Sequence, residues 1–283
     1  MILAPATSTA APRHQRANGA ARVEFRLTPR GTALAELYQQ APLRILFPTP
    51  EPDEPPTAAL VNCAGGLAGG DALATEVLLG PGANATCSTP AAEKIYRSLG
   101  PASRVTTALR LEAGATLEWL PQETILFDQA RLERRMVAHM AAGARLLAAE
   151  MLVFGRSARG ETMASGAVSD TWRLHGPDGL LWADGLAMGA ELGARLAAPL
   201  GFAGAEASAT LLLAAPGVEA LLPALRDSLE GAPAACTLPR PGLLLARFLG
   251  GSVPVREAIA KSIVMLRAAA LGLPARLPRL WTT

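Results

Sequence analysis

The amino-acid sequence predicts a mainly β fold, a single β-rich scaffold of many short strands with about two α-helices in the C-terminal part. Between residue 23 and about residue 210, short segments alternate apolar and polar residues and are interrupted by Gly, Pro and Asp, which is the pattern of β-strands. Further along, apolar residues recur at helical spacing. No fixed repeat and no linker-like segment divides residues 23–283, so they are predicted to form one domain.

The first 22 residues differ in composition from the rest of the chain. They are rich in Ala, Pro and Thr and show no periodicity, so residues 1–22 are predicted to form a disordered tail. They contain no acidic residue and no continuous apolar core, and a secretory signal peptide is therefore not expected. A Pro-rich stretch, PTPEPDEPPT at 48–57, is predicted to be a surface loop.

The alternating segments include two pairs whose members are separated by a short turn containing glycine. Because such turns commonly join antiparallel neighbours, both pairs are predicted to be β-hairpins. The paired segments are 104–111 with 115–119, and 172–175 with 180–182.

Two helices are predicted in the last third of the chain. In 217–230, apolar residues lie at helical spacing and Gly231 follows as a stop signal. A second helix is predicted to start near Pro254, because proline suits the first helical position, and to end at Gly272.

Composition limits the classes of partner. The 26 basic and 24 acidic residues give a net charge of only +2, which does not indicate nucleic-acid binding. Half of the residues are hydrophobic, yet no apolar stretch approaches the roughly 20 residues of a membrane span. Because this apolar content is high for a soluble chain, part of the hydrophobic surface of the folded protein is expected to be covered by a protein partner. The three cysteines are widely separated, which indicates a reducing cytoplasm.

The most conspicuous motif is NCAGGLAGGD at 62–71. It lacks the Gly-Lys-Ser/Thr of a phosphate-binding loop and the spacing of a dinucleotide-binding loop. Two interpretations of its acidic residue stay open. Asp71 either bonds backbone amides in a tight glycine turn or serves as a functional carboxylate.

Carboxylates recur in segments that are otherwise apolar. Buried acids need partners, and arginines at 97, 131 and 156 are close in sequence. Together the acids indicate a polar interior, whose oxygens could pass a divalent metal along weak sites without selecting nickel. These acids are Glu93, Glu118, Glu123, Asp128 and Glu161.

Two other kinds of chemistry involve histidines and paired carboxylates. His139 and His175 fall on separate predicted strands without the close spacing of a metal-binding pair, so a tight histidine site is not expected. Paired carboxylates could instead serve a glycosidase-like hydrolase. However, aromatic residues make up only 4% of the chain, which is low for a sugar-binding cleft.

Several motifs, in order along the chain, resemble those of the UreD family, also called UreH. The combination of AAEKIYR with EWLPQETILF is specific, and the similarity spans about residue 23 to the C-terminus. One departure is Asn62-Cys63-Ala64, where many relatives have His-Pro-Pro, so a metal role for a histidine there does not transfer. The motifs are LAELYQQAPLRILFP, NCAGGLAGGD, TPAAEKIYRS, LEWLPQETILFDQA, GRSARGE and the terminal PRLWTT.

The resemblance implies a non-catalytic scaffold of mostly β-strands. UreD-like proteins bind UreF, which recruits the GTPase UreG, and the assembly docks on apo-urease for nickel delivery. No tightly bound cofactor is implied; nickel is expected in transit, through an internal tunnel. The alternative from the residues alone is a carboxylate-dependent hydrolase. By matching family motifs, the candidate residues of the nickel path are Asp71, Glu93, Glu123, Asp128 and Glu161.

Overall fold

The computed structural model describes residues 15–189 and 191–282. Strands predominate over helices in these ranges, which confirms the prediction of a mainly β fold. The strands are β1 Asn18–Thr28, β2 Gly31–Gln40, β3 Leu43–Leu46, β4 Thr57–Asn62, β5 Ala72–Leu79, β6 Asn84–Ser88, β7 Glu93–Ile95, β8 Ser103–Leu111, β9 Thr116–Leu120, β10 Thr124–Leu126, β11 Arg131–Met140, β12 Arg145–Phe154, β13 Ala167–Gly176, β14 Gly179–Met188, β15 Ala207–Ala214, β16 Ala234–Arg240 and β17 Leu243–Gly250. The α-helices are α1 Leu192–Ala197, α2 Leu222–Ser228 and α3 Ser252–Leu266.

The strands form two sheets. One has seven strands in the order β14-β13-β11-β8-β5-β1-β2, and the other has ten, with the main order β16-β17-β15-β12-β9-β6-β4-β3. Strands β5, β8, β11 and β13 are parallel neighbours in the first sheet, as β6, β9 and β12 are in the second. The chain therefore coils between the two sheets, and successive coils lie side by side as in a β-solenoid.

This coiling corrects one predicted hairpin. Segments 104–111 and 115–119 become β8 and β9, which lie in different sheets and pair in parallel with strands of other coils. The turn between them crosses from sheet to sheet instead of reversing the chain within one. The second predicted hairpin is confirmed, since β13 and β14 pair antiparallel.

The chain termini and helices also differ in detail from the predictions. Strand β1 already begins at Asn18, inside the predicted tail 1–22, and residues 1–14 lie outside the described ranges. Pro254 is the third residue of α3 and not the first, and a π-helical turn at Arg267–Leu271 extends α3 to Gly272. Helix α1 was not predicted. Over the described residues, no helix combines the length and apolar character needed to cross a membrane.

Two apolar layers hold the fold together. One fills the space between the sheets, and the other lies between the outer face of the ten-stranded sheet and helices α2 and α3. Strand β12 contributes alternate residues to both layers, with Leu146 and Leu152 in the first and Leu147 and Val153 in the second. Because both of its faces are covered, its sequence is an almost continuous apolar run.

Candidate functional site

A buried arginine lies between the two sheets. On β11, Leu132, Met136 and Ala138 point into the inter-sheet core, and side chains two residues apart in a strand share a face. Arg134 occupies the same face and is only 8% exposed. Since a buried charge is unfavourable without partners, this position requires carboxylates from neighbouring strands.

Two carboxylates meet this arginine. The Nε and Nη2 atoms of Arg134 donate to the two oxygens of Asp170 on β13 at 2.9 and 2.6 Å. The Nη2 atom also lies 3.2 Å from Oε2 of Glu150 on β12. The indole of Trp119 donates to Glu150 Oε1 at 3.0 Å, and Thr124 accepts from Arg134 Nη1 at 3.3 Å. We call Arg134, Glu150 and Asp170 the inter-sheet charge cluster.

The cluster carries one formal positive and two formal negative charges. Burial raises the pKa of Glu150, an effect that Arg134 opposes. Although burial works against its charge, the carboxylates of Asp170 and Glu150 raise the pKa of Arg134 above its ordinary value. Within the described part of the chain, Glu150 Oε2 receives no hydrogen bond. This oxygen is therefore held by its ion pair with Arg134 and not by a hydrogen bond.

Two cavities meet at this cluster. A cavity of about 100 Å³ reaches from Asn62 and Glu93 to Arg134 and Glu150. A second cavity, of about 160 Å³, begins at the same Arg134 and Glu150 and reaches the half-exposed pair Asp184 and Arg247. We call the two cavities with the cluster between them the inter-sheet passage. Its lining extends from Glu93, the first residue of β7, to Asp184 on β14.

Glu93, one of the predicted acids, lines the first cavity. The Nδ2 atom of Asn62 donates to its two oxygens at 3.2 and 3.1 Å. Burial raises the pKa of Glu93, and the bond from Asn62 partly offsets this rise. Asn62 therefore holds this carboxylate in place.

Asp71 ends the glycine motif and is bonded to the backbone. Its oxygens accept from the amides of Ala17 and Ala68 at 2.9 and 2.8 Å, as one of the two interpretations predicted. Gly66 in this motif has a φ of +150°, and a Cβ there would meet the ring of Tyr96 at 2.6 Å, so a larger residue does not fit.

Asp128 and Glu161 lie together at the turn before β11. Asp128 Oδ1 accepts from the amides of Ala164 and Ser165, both at 2.9 Å. Glu161 pairs with Arg156, one of the arginines predicted as partners, and accepts from the amide of Asp128 at 3.3 Å. The hydrogen bond from Arg156 lowers the pKa of Glu161. Both carboxylates therefore have partners that fix the turn.

Glu123 lies away from the passage. It pairs with Arg256 of α3 and lines a separate pocket of about 310 Å³ with Arg156 and Met151. The structure therefore does not bring the five predicted acids into one cavity. Of these five, Glu93 alone lines the inter-sheet passage.

The sequence interpretation missed the inter-sheet charge cluster, although a signal for it exists. Arg134 and Asp170 interrupt the apolar phase of β11 and β13, and Glu150 is the one charge within the apolar run of β12. A charge in the inward phase of a strand indicates a buried polar site. The two histidines lie on separate strands, as predicted, but the sequence did not show that β11 and β13 are neighbours that place His139 opposite His175.

Chemically, this passage offers carboxylate oxygens, one amide and hydroxyl groups. Such ligands bind hard or borderline divalent cations weakly when few converge. Over the described residues, no group of three or more His, Cys, Asp and Glu side chains is placed to hold a metal ion. The arrangement favours brief contacts along a route.

Comparisons with known proteins agree with the motifs. A family profile described as UreD urease accessory protein matches residues 17–282. The urease accessory protein UreD of Granulibacter bethesdensis is 48% identical over 238 residues, which cover 84% of this chain and 99% of the relative. The UreD protein of Rhodopseudomonas palustris is 43% identical, covering 94% and 93%. That of Magnetococcus marinus is 42% identical, covering 94% of each chain.

Proposed function

We propose, from the premise that the chain belongs to the UreD family of urease accessory proteins, that it is a non-catalytic scaffold whose interior conducts nickel to apo-urease. Membership of the family supports a role in urease maturation. The relatives' shared description as accessory proteins favours a scaffold over the carboxylate-dependent hydrolase.

The observation that carries the proposal is the inter-sheet passage. Its two cavities share Arg134 and Glu150 as lining residues, and Glu150 Oε2 is held there by an ion pair with Arg134 and not by a hydrogen bond. Polar groups between two packed sheets are costly unless they are paired. A route for a hydrated or partly dehydrated cation accounts for their presence.

Along this route Glu93 and Glu150 act as weak stations. Because burial raises the pKa of both carboxyls, an approaching divalent cation would favour their ionised form and displace a proton. Arg134 keeps the cluster from holding the cation tightly, since its guanidinium already occupies Asp170. The candidate acids Asp71, Glu123, Asp128 and Glu161 remain proposed stations outside this passage.

The proposed partners are UreF, the GTPase UreG recruited through UreF, and apo-urease, in the cytoplasm. GTP hydrolysis is assigned to UreG, because the glycine motif at 62–71 of this chain lacks a phosphate-binding signature. Exposed apolar side chains support a need for partners. They include Leu27, Leu34, Leu46 and Phe47.

The test uses Glu93→Gln and Glu150→Gln, which keep shape and remove charge, in cells that co-express UreF, UreG and urease subunits. We expect the complexes to form normally, while the nickel content of the purified urease and its activity fall. Glu133→Gln serves as the matched control, because Glu133 lies on the exposed face of β11. Glu123→Gln reports on the separate pocket beside α3.

Two results would count against a nickel path through the interior. One is normal nickel loading by both passage variants. The other is a loss of loading that is fully explained by unfolding or by failure to bind UreF, both measured on the same preparations.

A further inference from the structure

Two histidines stack on the outer face of the seven-stranded sheet. His139 of β11 lies opposite His175 of β13 in the parallel register. Their ring centroids are 4.6 Å apart and the ring planes differ by 11°. The chain has only three histidines, so two of the three are in direct contact.

This pair is separate from the inter-sheet passage. His139 is exposed and His175 half-buried, whereas Arg134 and Asp170 of the same two strands point to the opposite face. The backbone of the sheet therefore lies between the histidines and the inter-sheet charge cluster. A ligand bound at the pair would be reached from solvent.

Two imidazoles side by side on rigid strands have the chemistry of a metal chelate. Each neutral ring offers a nitrogen lone pair, and imidazole suits nickel, copper and zinc. The two rings lie 4.6 Å apart on paired strands, so a metal ion could be shared if one nitrogen of each ring turned toward it.

We propose that His139 and His175 form a two-histidine surface site for a borderline divalent cation such as Ni²⁺, Cu²⁺ or Zn²⁺, with water completing the coordination. The open coordination positions make the ion exchangeable. The site stands independently of the nickel passage, because it uses other residues on the other face of the sheet.

A neighbouring arginine on β8 opposes the cation. Arg110 of β8 lies opposite His139 in the register and repels a positive ion. Its side chain is 63% exposed and lies 3.6 Å from Glu76, so solvent and the carboxylate screen this repulsion. Because screening weakens this repulsion without removing it, loss of the arginine should tighten metal binding modestly, an effect that a purely structural ring stack would not show.

The scarcity of histidine allows a direct test with the full chain, kept in solution by co-expressed UreF. Histidine is isotopically labelled, and NiCl₂ alone is added below one equivalent. Paramagnetic Ni²⁺ should broaden the ring signals of His139 and His175 together. His139→Ala should remove the response of His175, and His175→Ala should remove the response of His139. Each variant should bind Ni²⁺ at least about tenfold more weakly, because the chelate is lost. Arg110→Gln should strengthen binding.

Arg173→Gln is the matched control, since Arg173 lies on the same exposed face of β13 and its loss leaves both rings in place. It should retain the joint response. The proposal is overturned if either histidine responds to Ni²⁺ unchanged after the other is replaced. It is also overturned if neither signal broadens until Ni²⁺ is in large excess, which would indicate adventitious binding only.

Discussion

At the scale of single residues, Arg134 sets the electrostatics of the interior. It is nearly fully buried and contacts two carboxylates and a threonine hydroxyl. A buried ion pair adds little to stability relative to an apolar core, but removing one partner strands the other charges and is strongly destabilising. The fold therefore contains a polar cluster in its interior that cannot lose its arginine without a large loss of stability.

The first prediction follows from this asymmetry. Arg134→Met leaves Glu150 and Asp170 facing each other without a cation, and we expect a loss of about 3–5 kcal/mol in the free energy of unfolding. Arg22→Met is the control, because Arg22 is 39% exposed and pairs with glutamates at 3.7–3.8 Å. It should cost no more than about 1 kcal/mol. Denaturant titration of both variants measures the difference, and equal losses would refute a special role for Arg134.

The second prediction concerns pH. Burial raises the folded-state pKa of Glu93 above the unfolded value of about 4.3. The folded state then binds more protons, so this group's contribution to stability is present below the unfolded pKa and is lost as pH rises through the folded pKa. Glu93→Gln cannot ionise. Its stability relative to the wild type should therefore increase from about pH 4.3 upward and level off above the folded pKa.

Asp128→Asn provides a control of opposite sign. Although slight burial acts to raise it, hydrogen bonds led by the Ser165 amide lower the pKa of Asp128, so its stabilising effect is present above the unfolded pKa and is lost as pH falls. The asparagine variant should lose stability at neutral pH and approach the wild type in acid. Unfolding curves across pH measure both trends. A stability difference for Glu93→Gln that does not vary with pH would contradict the burial argument.

Individual residues could be predicted from sequence only where their surroundings are local. The bond from the turn amide of Ala68 to Asp71 and the pairing of Glu161 with Arg156 involve neighbours within a few residues, whereas the bond from Ala17 to Asp71 does not. The partners of Arg134 come from β12 and β13, so they depend on which strands become neighbours. The inward charge was visible in the pattern, but its partners were not.

At the scale of elements, the connection between β8 and β9 shows where sequence patterns lose information. Its apolar alternation and its glycine turn are those of a hairpin, and the alternation is correct, since Leu109 and Leu111 are buried while Arg110 is exposed. Whether the chain returns within one sheet or crosses to another depends on long-range packing. Alternation with a period of two shows which face of a strand is buried, but it does not show which strand lies beside it.

Helix α3 is predicted better than this connection, because its apolar stripe lies within one element of the sequence. Ile259 and Ile263 of the predicted stripe are fully buried against the ten-stranded sheet. Replacing Ile263 by Ala should leave a cavity and cost about 2–5 kcal/mol. Val253 is 64% exposed, and Val253→Ala should change stability by no more than about 0.5 kcal/mol. Similar unfolding midpoints for the two variants would show that α3 is not docked as described.

At the scale of the whole molecule, one end of the sandwich is incompletely covered. Strands β2 and β3 lie at the edges of their sheets and contact each other, and apolar side chains on them and beside them are exposed. Exposed apolar side chains on and beside edge strands favour a protein partner at this end. These side chains are Leu27, Leu34, Leu37, Leu46 and Phe47.

We therefore expect the chain to aggregate when expressed alone and to stay soluble with UreF. Leu27→Thr combined with Leu46→Thr should raise the soluble fraction of the isolated chain, because both residues are more than half exposed. Leu200→Thr, a control at an isolated exposed leucine, should change it little. A freely soluble, monodisperse wild-type chain without UreF would contradict this prediction.

Obstruction of the space between the sheets is the sharpest test of whether nickel reaches urease through it. Val105 lines the first cavity from β8, whereas Val137 lines a groove on the opposite, outer face. In cells that express the complete maturation system, nickel per urease active site is measured for Val105→Phe and Val137→Phe, after each variant is shown to fold and to assemble. If nickel passes between the sheets, Val105→Phe should reduce the nickel content of urease, and Val137→Phe should leave it unchanged. Full loading with a folded, assembled Val105→Phe variant would contradict this route.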